Sequence, residues 1–240
     1  MTLRYLPFHT IPVPDHSLND DQGLIIGSVD PAYLNIGVRI EIRYCTRLPI
    51  VLYFDLIRLI PKKDPPKVTR KKNKEKDTNE IKVKKKTRKI AFDPQMWGRF
   101  TTHLHDMSDI LDRVQIYVVE SQVSKRSLVE RSAQHFTSFI MTKYQNREPY
   151  PVIIELNSRL KGRILRMPDG SLPKKSQKKL ASVATARSIL TDRGDQFSLN
   201  ILNQIDKQDD LTDAICQLEV FISMITTERQ HKSPGAKKLL

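Results

Sequence analysis

Four acidic residues occupy positions from which they could bind divalent metal ions together. Asp30 and Glu120 each follow an apolar run that predicts a buried strand, and Asp210 and Asp213 open an apolar stretch that predicts a helix. Residues three apart on a helix share a face, so both aspartates can point toward one ion. In phosphodiester hydrolysis, divalent ions held by carboxylate oxygens activate a water and stabilise a leaving oxygen. The pattern predicts a metal-dependent phosphodiesterase site.

Each of these acids also has a simpler explanation when it is taken alone. Asp30 precedes a proline and could begin a turn, and Glu120 could lie at a solvated strand end. Asp209 and Asp210 could cap a helix N-terminus, where the helix dipole favours acids. Asp209 lies four residues before Asp213 and is therefore an alternative ligand to Asp210. The combination of these acids in a basic chain favours a site that acts on nucleic acid.

The net charge of +14 over 240 residues is concentrated in one segment. Residues 61–90 contain fourteen Lys or Arg against four Asp or Glu, so they carry +10 of the total. Little in this segment could pack, which predicts a mobile basic insertion. We interpret it as an arm that binds polyanions, with Lys84, Lys85 and Lys86 as candidate DNA contacts, because phosphate contacts release counterions. A solvated charged loop is the alternative.

Other features of the chain limit its compartment and its cofactors. No apolar run approaches the roughly 20 residues of a membrane helix, and the N-terminus lacks a signal-peptide core. Cys45 and Cys216 are too few for a disulfide framework or a cysteine zinc site, and we expect both thiols to be reduced and buried. No glycine-rich loop of the nucleotide-binding type is present. We expect an intracellular protein with no membrane segment and no nucleotide cofactor.

The spacing of apolar residues predicts strands at 24–30, 36–44, 50–60, 114–120 and 151–156. It predicts helices at 94–111, 126–145, 175–192 and 209–227. Apolar and charged residues alternate over 36–44, which predicts a strand buried on one face only. Short links among the first three strands favour an antiparallel meander. Right-handed crossovers then place the last two strands parallel to the first.

These elements predict an α/β fold with a mixed five-stranded sheet flanked by helices. One nuclease domain would span 24–227 and would be interrupted by 61–90. An irregular lead-in (1–23) and a basic tail (228–240) would flank it. Asp30 would lie on the central strand with Glu120 beside it, at the carboxyl ends where α/β sheets place their sites.

Three segments resemble motifs of the RuvC-like Holliday junction resolvases, in the order of that family. They are Asp30–Gly37 at the first strand, Val118–Gln122 around the second acid, and Lys207–Ala214 at the last helix. The branch that they resemble is that of poxviruses, other large DNA viruses and mitochondria. Ala32 stands where the family often has a glycine, which changes the turn and leaves Asp30 in place.

The resemblance implies an RNase H-like fold and a homodimer that cuts four-way DNA junctions, with Mg²⁺, or alternatively Mn²⁺, as cofactor. The metal ligands that it implies are Asp30, Glu120, Asp210 and Asp213. The family also uses lysines near the scissile phosphate, for which the candidates are Lys161, Lys178 and Lys179. Solvated lysines on a basic face are the alternative for each of them. A viral member of this family would act where viral DNA replicates in the host cell.

Two other functions are alternatives. A different RNase H-like nuclease, such as a transposase-like or RNA-cutting enzyme, would use the same acids on another substrate. A non-catalytic DNA-binding protein could keep the same fold for architecture. The four carboxylates argue against the second alternative, because a protein that only binds a polyanion has no reason to hold acids together.

Overall fold

The computed structural model of the protein describes residues 23–32, 35–44, 46–59, 93–121 and 127–232. Three predicted segments lie largely or wholly outside the described residues, and they stay predictions. They are the lead-in (all but Gly23), the basic segment 61–90 with Lys84, Lys85 and Lys86, and residues 233–240 of the tail. Cys216 is buried, as predicted, and Cys45 lies outside the described residues.

The described strands form one mixed five-stranded sheet. They are β1 (Leu24–Asp30), β2 (Asn35–Arg43), β3 (Ile50–Arg58), β4 (Ile116–Ser121) and β5 (Val152–Asn157). Their order in the sheet is β3-β2-β1-β4-β5. β2 is antiparallel to β1 and β3, whereas β4 is parallel to β1 and β5. The predicted antiparallel meander and the parallel placement of β4 and β5 are therefore confirmed, and β1 is the central strand.

Helices cover both faces of the sheet. They are α1 (Pro94–Asp106), α2 (Ser108–Leu111), α3 (Ser127–Lys143), α4 (Lys178–Asp192), α5 (Gln196–Asn203) and α6 (Asp209–Lys232). Short 3-10 helices span Ser158–Arg163 and Lys175–Gln177. On one face, Phe100 of α1 and Phe136 of α3 pack against Val38 of the sheet. On the other face, α6 lies against β1 and β4, where Phe221 packs with Ile26. No helix in the described ranges is both long enough and apolar enough to span a membrane.

The helix boundaries follow local capping signals and differ in places from the prediction. The predicted helix 175–192 begins as a 3-10 helix and becomes α-helical at Lys178, and α3 ends at Lys143 where the prediction had 145. α1 begins as predicted, because the Asp93 carboxylate accepts the Gln95 N–H at 3.0 Å. The predicted helix 94–111 is interrupted at Met107 and forms α1 and α2. α6 continues to Lys232, beyond the predicted end at 227. α5 was not predicted, since its eight residues give too short a pattern to identify a helix from sequence.

The prediction that β2 is buried on one face only is wrong. Arg39 and Glu41 are fully buried, because α4, α5 and α6 cover the face that the alternation assigned to solvent. The Arg39 guanidinium donates to Glu41 at 2.7 Å, to Asp195 at 3.0 Å and to Ser198 at 2.9 Å. Charged residues are buried here because each charge has a partner.

Further ion pairs continue this cluster along β2 and reach α6. The Glu219 carboxylate accepts hydrogen bonds from Arg193 at 2.8 and 2.5 Å, and Arg43 contacts both Glu41 and Glu219. We call the whole set the buried ion network. Its members are Arg39, Arg43, Arg193, Glu41, Asp195 and Glu219. The network joins β2 to the layer of helices that carries Asp210 and Asp213.

Candidate active site

Asp30 and Glu120 lie on the same face of the sheet, at the carboxyl ends of neighbouring strands. Strand residues two apart point to one face, and Ile26 and Val118 pack against α6. Asp30 and Glu120 follow them at even spacing and so face the same helix. β1 and β4 run parallel, with Val29 opposite Val119 at the last pair. Both carboxylates are buried, with 6% and 8% of each residue exposed.

Lys161 places its ammonium group among three of the predicted acids. Its Nζ atom lies 2.9 Å from Asp213 Oδ2, 3.2 Å from Glu120 Oε2 and 3.7 Å from Asp30 Oδ1. Lys161 belongs to the 3-10 helix that follows β5, and Asn157 caps that helix by accepting the Arg159 N–H at 2.9 Å. The Lys161 ammonium therefore joins the segment after β5 to three other elements, β1, β4 and α6.

The acids at the start of α6 have different partners. Asp213 accepts a hydrogen bond of 2.5 Å from the Ser182 hydroxyl of α4, in addition to its ion pair with Lys161. Asp210 is buried and accepts hydrogen bonds from Lys207 Nζ at 2.6 Å and from the Asn35 amide at 3.0 Å. The structure therefore brings Asp213 to the Lys161 cluster and pairs Asp210 with a second lysine.

Asp209, the alternative ligand, pairs with a third lysine. Its carboxylate contacts Lys179 of α4, whose side chain is 77% exposed, and lies 3.9 Å from Lys207. This ion pair lines a groove of about 420 Å³, together with Leu180 and Val183. Asp209 thus lines the groove and pairs with Lys179, whereas Asp213 pairs with Lys161.

Burial and charge act in opposite directions on the central ion cluster. Burial raises the pKa of Asp30 well above its ordinary value; the nearby Lys161 lowers it, and the Glu120 and Asp213 charges raise it further. For Lys161, burial alone would lower the pKa, but the Asp30, Asp213 and Glu120 carboxylates together raise it. Lys161 is therefore held in its charged form by the carboxylates around it.

Carboxylate oxygens around a buried cation are the donor type that hard divalent ions prefer. Within the described ranges, no group of three or more His, Cys, Asp or Glu side chains is placed to hold a metal ion. Asp30, Glu120 and Asp213 instead share one ammonium, at distances of up to 3.7 Å. These residues fit a divalent cation in donor chemistry and in charge, and Lys161 is the group that such an ion would have to replace.

The start of α6 approaches the sheet closely because β2 has a glycine there. Gly37 pairs with Asp30 in the β1–β2 register. A Cβ atom at Gly37 would lie 2.1 Å from the main-chain oxygen of Asp210, far inside van der Waals contact. Gly37 is therefore required for the close approach that places the first turn of α6 beside Asp30.

The predicted lysines occupy two different environments. Lys161 is buried in the ion cluster, whereas Lys178 and Lys179 are exposed at the start of α4. Ser182, Lys207 and Asn35 were not predicted as site residues, although they contact the acids directly. Lys207 had a sequence signal, because it is three residues before Asp210 in the motif that resembles the resolvases. Asn35 had one too, because it lies in the Asp30–Gly37 motif. Ser182 had none, since its contact depends on how α4 packs against α6.

No protein-family model and no curated protein sequence matches the chain. Solved structures do match it. The yeast mitochondrial Holliday junction resolvase Ydc2 aligns with a TM-score of 0.50 at 12% identity, over 87% of this chain and 85% of that one. The chain has the fold of that resolvase. The predicted RNase H-like fold is therefore confirmed.

Two further structures from other sources also align with the chain. A fowlpox virus resolvase, solved with its Holliday junction substrate, gives a TM-score of 0.49 at 14% identity, over 85% of this chain and 99% of that one. Thermus thermophilus RuvC gives a TM-score of 0.46 at 11% identity, over 85% and 98% of the two chains.

Proposed function

We propose that the protein is a Mg²⁺-dependent endonuclease that resolves four-way DNA junctions. The observation that carries the proposal is the convergence of Asp30, Glu120 and Asp213 on one buried cation, Lys161, within 3.7 Å. Asp30 and Glu120 lie at the carboxyl ends of the parallel strands β1 and β4 in a resolvase fold, and Asp213 comes from α6. The motifs that resemble the resolvases supply the substrate class.

In this proposal Asp30, Glu120 and Asp213 hold the metal, and Asp210 completes the set when it leaves Lys207. Bound Mg²⁺ would activate water and stabilise the leaving oxygen of the phosphodiester. The chain's own residues orient this site. Ser182 fixes one oxygen of Asp213 through its hydroxyl. Once a divalent ion displaces the Lys161 ammonium from the carboxylates, that ammonium is available to a DNA phosphate.

DNA would approach along the lysines that flank the acids. Lys178 and Lys179 are exposed at the start of α4. Lys179 and Lys207 line the groove beside Asp209. Phosphate groups would draw Lys179 from Asp209 and Lys207 from Asp210, because an ammonium is a good partner for either anion. A four-way junction has two strands to cut, so we further propose that two copies of the chain act as a symmetric dimer.

The experiment is cleavage of a labelled four-way junction with Mg²⁺ and with EDTA, by the wild type and by Asp30→Asn. We expect cleavage with Mg²⁺ only, and binding without cleavage by the variant, because asparagine keeps the shape and loses the charge that holds the ion. Asp192→Asn is the matched control, since Asp192 is exposed at the end of α4. Wild-type cleavage by Asp30→Asn at saturating Mg²⁺ would remove Asp30 from the site.

The same assay separates the alternatives. Preference for plain duplex or for an RNA–DNA hybrid would indicate a different RNase H-like nuclease. Tight binding of the junction with no cleavage in Mg²⁺ or Mn²⁺ would indicate a protein that only binds DNA.

A further inference from the structure

Gln217 of α6 is a buried polar residue that bonds to both strands carrying the candidate metal ligands. Only 1% of it is exposed. Its Nε2 atom donates to the main-chain oxygen of Val118 at 2.8 Å and to that of Val29 at 3.3 Å. A single amide nitrogen thus joins α6 to β4 and to β1.

These hydrogen bonds lie directly behind the acids. Val29 immediately precedes Asp30, and Val118 is two residues before Glu120. The β1–β4 pairing ends at Val29 and Val119, so the amide bridges the two strands where their own ladder stops. Gln217 is also four residues after Asp213, which places the two side chains on one face of α6. Every element that supplies an acid to the Lys161 cluster is therefore joined at Gln217.

The amide is kept at this position although part of it has no partner. The Oε1 atom of Gln217 and the hydroxyl of Ser28 are both buried, and neither has a hydrogen-bond partner within the described part of the chain. Leu218 and Phe221 nearby are packed in an apolar cluster. An unsatisfied buried polar atom destabilises a protein. An apolar side chain of similar size would avoid that cost, but it would leave the Val29 and Val118 oxygens without the amide donor that ties them to α6.

We propose that Gln217 is a positioning residue for the candidate metal site. It fixes α6 relative to β1 and β4, and so keeps the Asp213 carboxylate within reach of the same cation as Asp30 and Glu120. This inference rests on the proposed function and deepens it, because it assigns the spacing of the metal ligands to one side chain that bonds to the main chain of the two strands behind them.

The test is Mn²⁺ binding by the full chain, followed by electron paramagnetic resonance, for the wild type and Gln217→Met. Methionine keeps the length and volume of the side chain and removes both hydrogen bonds. Residues that orient metal ligands typically contribute about 10–100-fold to metal affinity, so we expect Gln217→Met to bind Mn²⁺ at least tenfold more weakly. The titration is run at a temperature at which every variant is fully folded.

Tyr144→Phe is the matched control for a general loss of stability. The Tyr144 hydroxyl donates to Asp112 at 2.6 Å, beyond the opposite face of the sheet. This variant should melt at a lower temperature and bind Mn²⁺ like the wild type. Gln217→Asn is the second variant, for use if Gln217→Met does not fold. It keeps the amide but is one methylene too short to reach both strands, and we expect weaker Mn²⁺ binding from it too.

Each outcome has one meaning. Wild-type Mn²⁺ affinity in a folded Gln217 variant overturns the positioning role and leaves the proposed function intact. Equal weakening in Tyr144→Phe and Gln217→Met also overturns it, because the effect would then follow stability. Failure of the wild type to bind Mn²⁺ overturns the metal-dependent function itself, and the positioning role with it.

Discussion

Lys161 Nζ lies 2.9 Å from Asp213 Oδ2, although 52 residues separate the two in the chain. The lysine reaches the aspartate from the 3-10 helix after β5, and the aspartate is the fifth residue of α6. An internal cation thus neutralises part of the charge of the candidate metal site. A divalent ion would compete directly with this ammonium for the carboxylates.

Replacing Lys161 should make the folded protein depend on Mg²⁺. Lys161→Met leaves Asp30, Glu120 and Asp213 without their cation, and breaking a buried ion pair typically costs about 3–5 kcal/mol. We expect a lower melting temperature without metal and a larger rise on adding Mg²⁺ than in the wild type. Lys179→Met is the control, because its side chain is 77% exposed and should change little. An equal Mg²⁺ response in Lys161→Met and wild type contradicts this competition.

Mg²⁺ should also raise the melting temperature of the wild type, since a ligand that binds only the folded state stabilises it. The rise should shrink in Asp213→Asn, which loses one of the carboxylates near Lys161. Asp209→Asn should keep the full rise, because Asp209 pairs with Lys179, whereas Asp213 pairs with Lys161. Thermal melts of the three proteins with and without Mg²⁺ decide this. Equal shifts in all three would count against α6 as a source of ligands.

Deleting residues 61–90 should weaken junction binding and leave cleavage chemistry intact. The segment carries +10 of the net charge, and each lost phosphate contact lowers the slope of log affinity against log salt by about 0.9. The measurement is junction affinity at several salt concentrations for the full chain and the deletion. An unchanged salt slope means that the segment does not touch DNA.

Gly37→Ala should separate α6 from the sheet. Its Cβ would lie 2.1 Å from the Asp210 main-chain oxygen, and overpacking of this kind typically costs about 1–3 kcal/mol. Gly98→Ala in α1 is the control, because its Cβ would meet nothing within 4 Å. That change should stabilise the helix by about 0.5–1 kcal/mol. Denaturant unfolding measures both, and a neutral Gly37→Ala would refute the close approach.

The buried ion network should lose stability in acid. Burial alone would raise the pKa of Glu219, but its ion pairs with Arg193 and Arg43 hold it below the ordinary value of 4.5. Hydrogen bonds from Ser198 and Arg39 likewise outweigh burial and lower the pKa of Asp195 from 3.8. A depressed carboxylate pKa stabilises the fold above the unfolded-state pKa, and that stability is lost as pH falls through the folded-state pKa.

The free energy of unfolding should therefore fall steadily as pH drops below about 4.5, where unfolded glutamate takes up protons. Glu219→Gln should be less stable at pH 7, because Arg193 and Arg43 lose their charged partner, and should lose less on acidification. Glu155→Gln, on the exposed side of β5, should follow the wild type. Denaturant unfolding between pH 7 and pH 3 measures the difference. Parallel curves for Glu219→Gln and wild type would exclude Glu219 from the acid response.

Local patterns were sufficient to predict the sheet and the positions of Asp30 and Glu120, because strand periodicity and strand ends are encoded within a few residues. They were misleading for Arg39 and Glu41. An alternating strand has the same sequence whether its polar face meets water or a layer of helices with matching charges. The place of Lys161 among the acids, like that of Gln217, depends on contacts between distant elements. Lys161 could therefore be identified from the sequence as a candidate site residue, but its burial among the acids could not be predicted.

The distribution of the acids along the chain has a consequence for the cell. Asp30 and Glu120 are made early, whereas Asp210, Asp213 and Gln217 all lie on α6, the last helix described. Under the proposed function, a chain still being translated has its sheet before it has a complete set of ligands. Unfinished or prematurely terminated copies that lack α6 would not cleave the nucleic acids around them. Cleavage would begin only after α6 packs against the sheet.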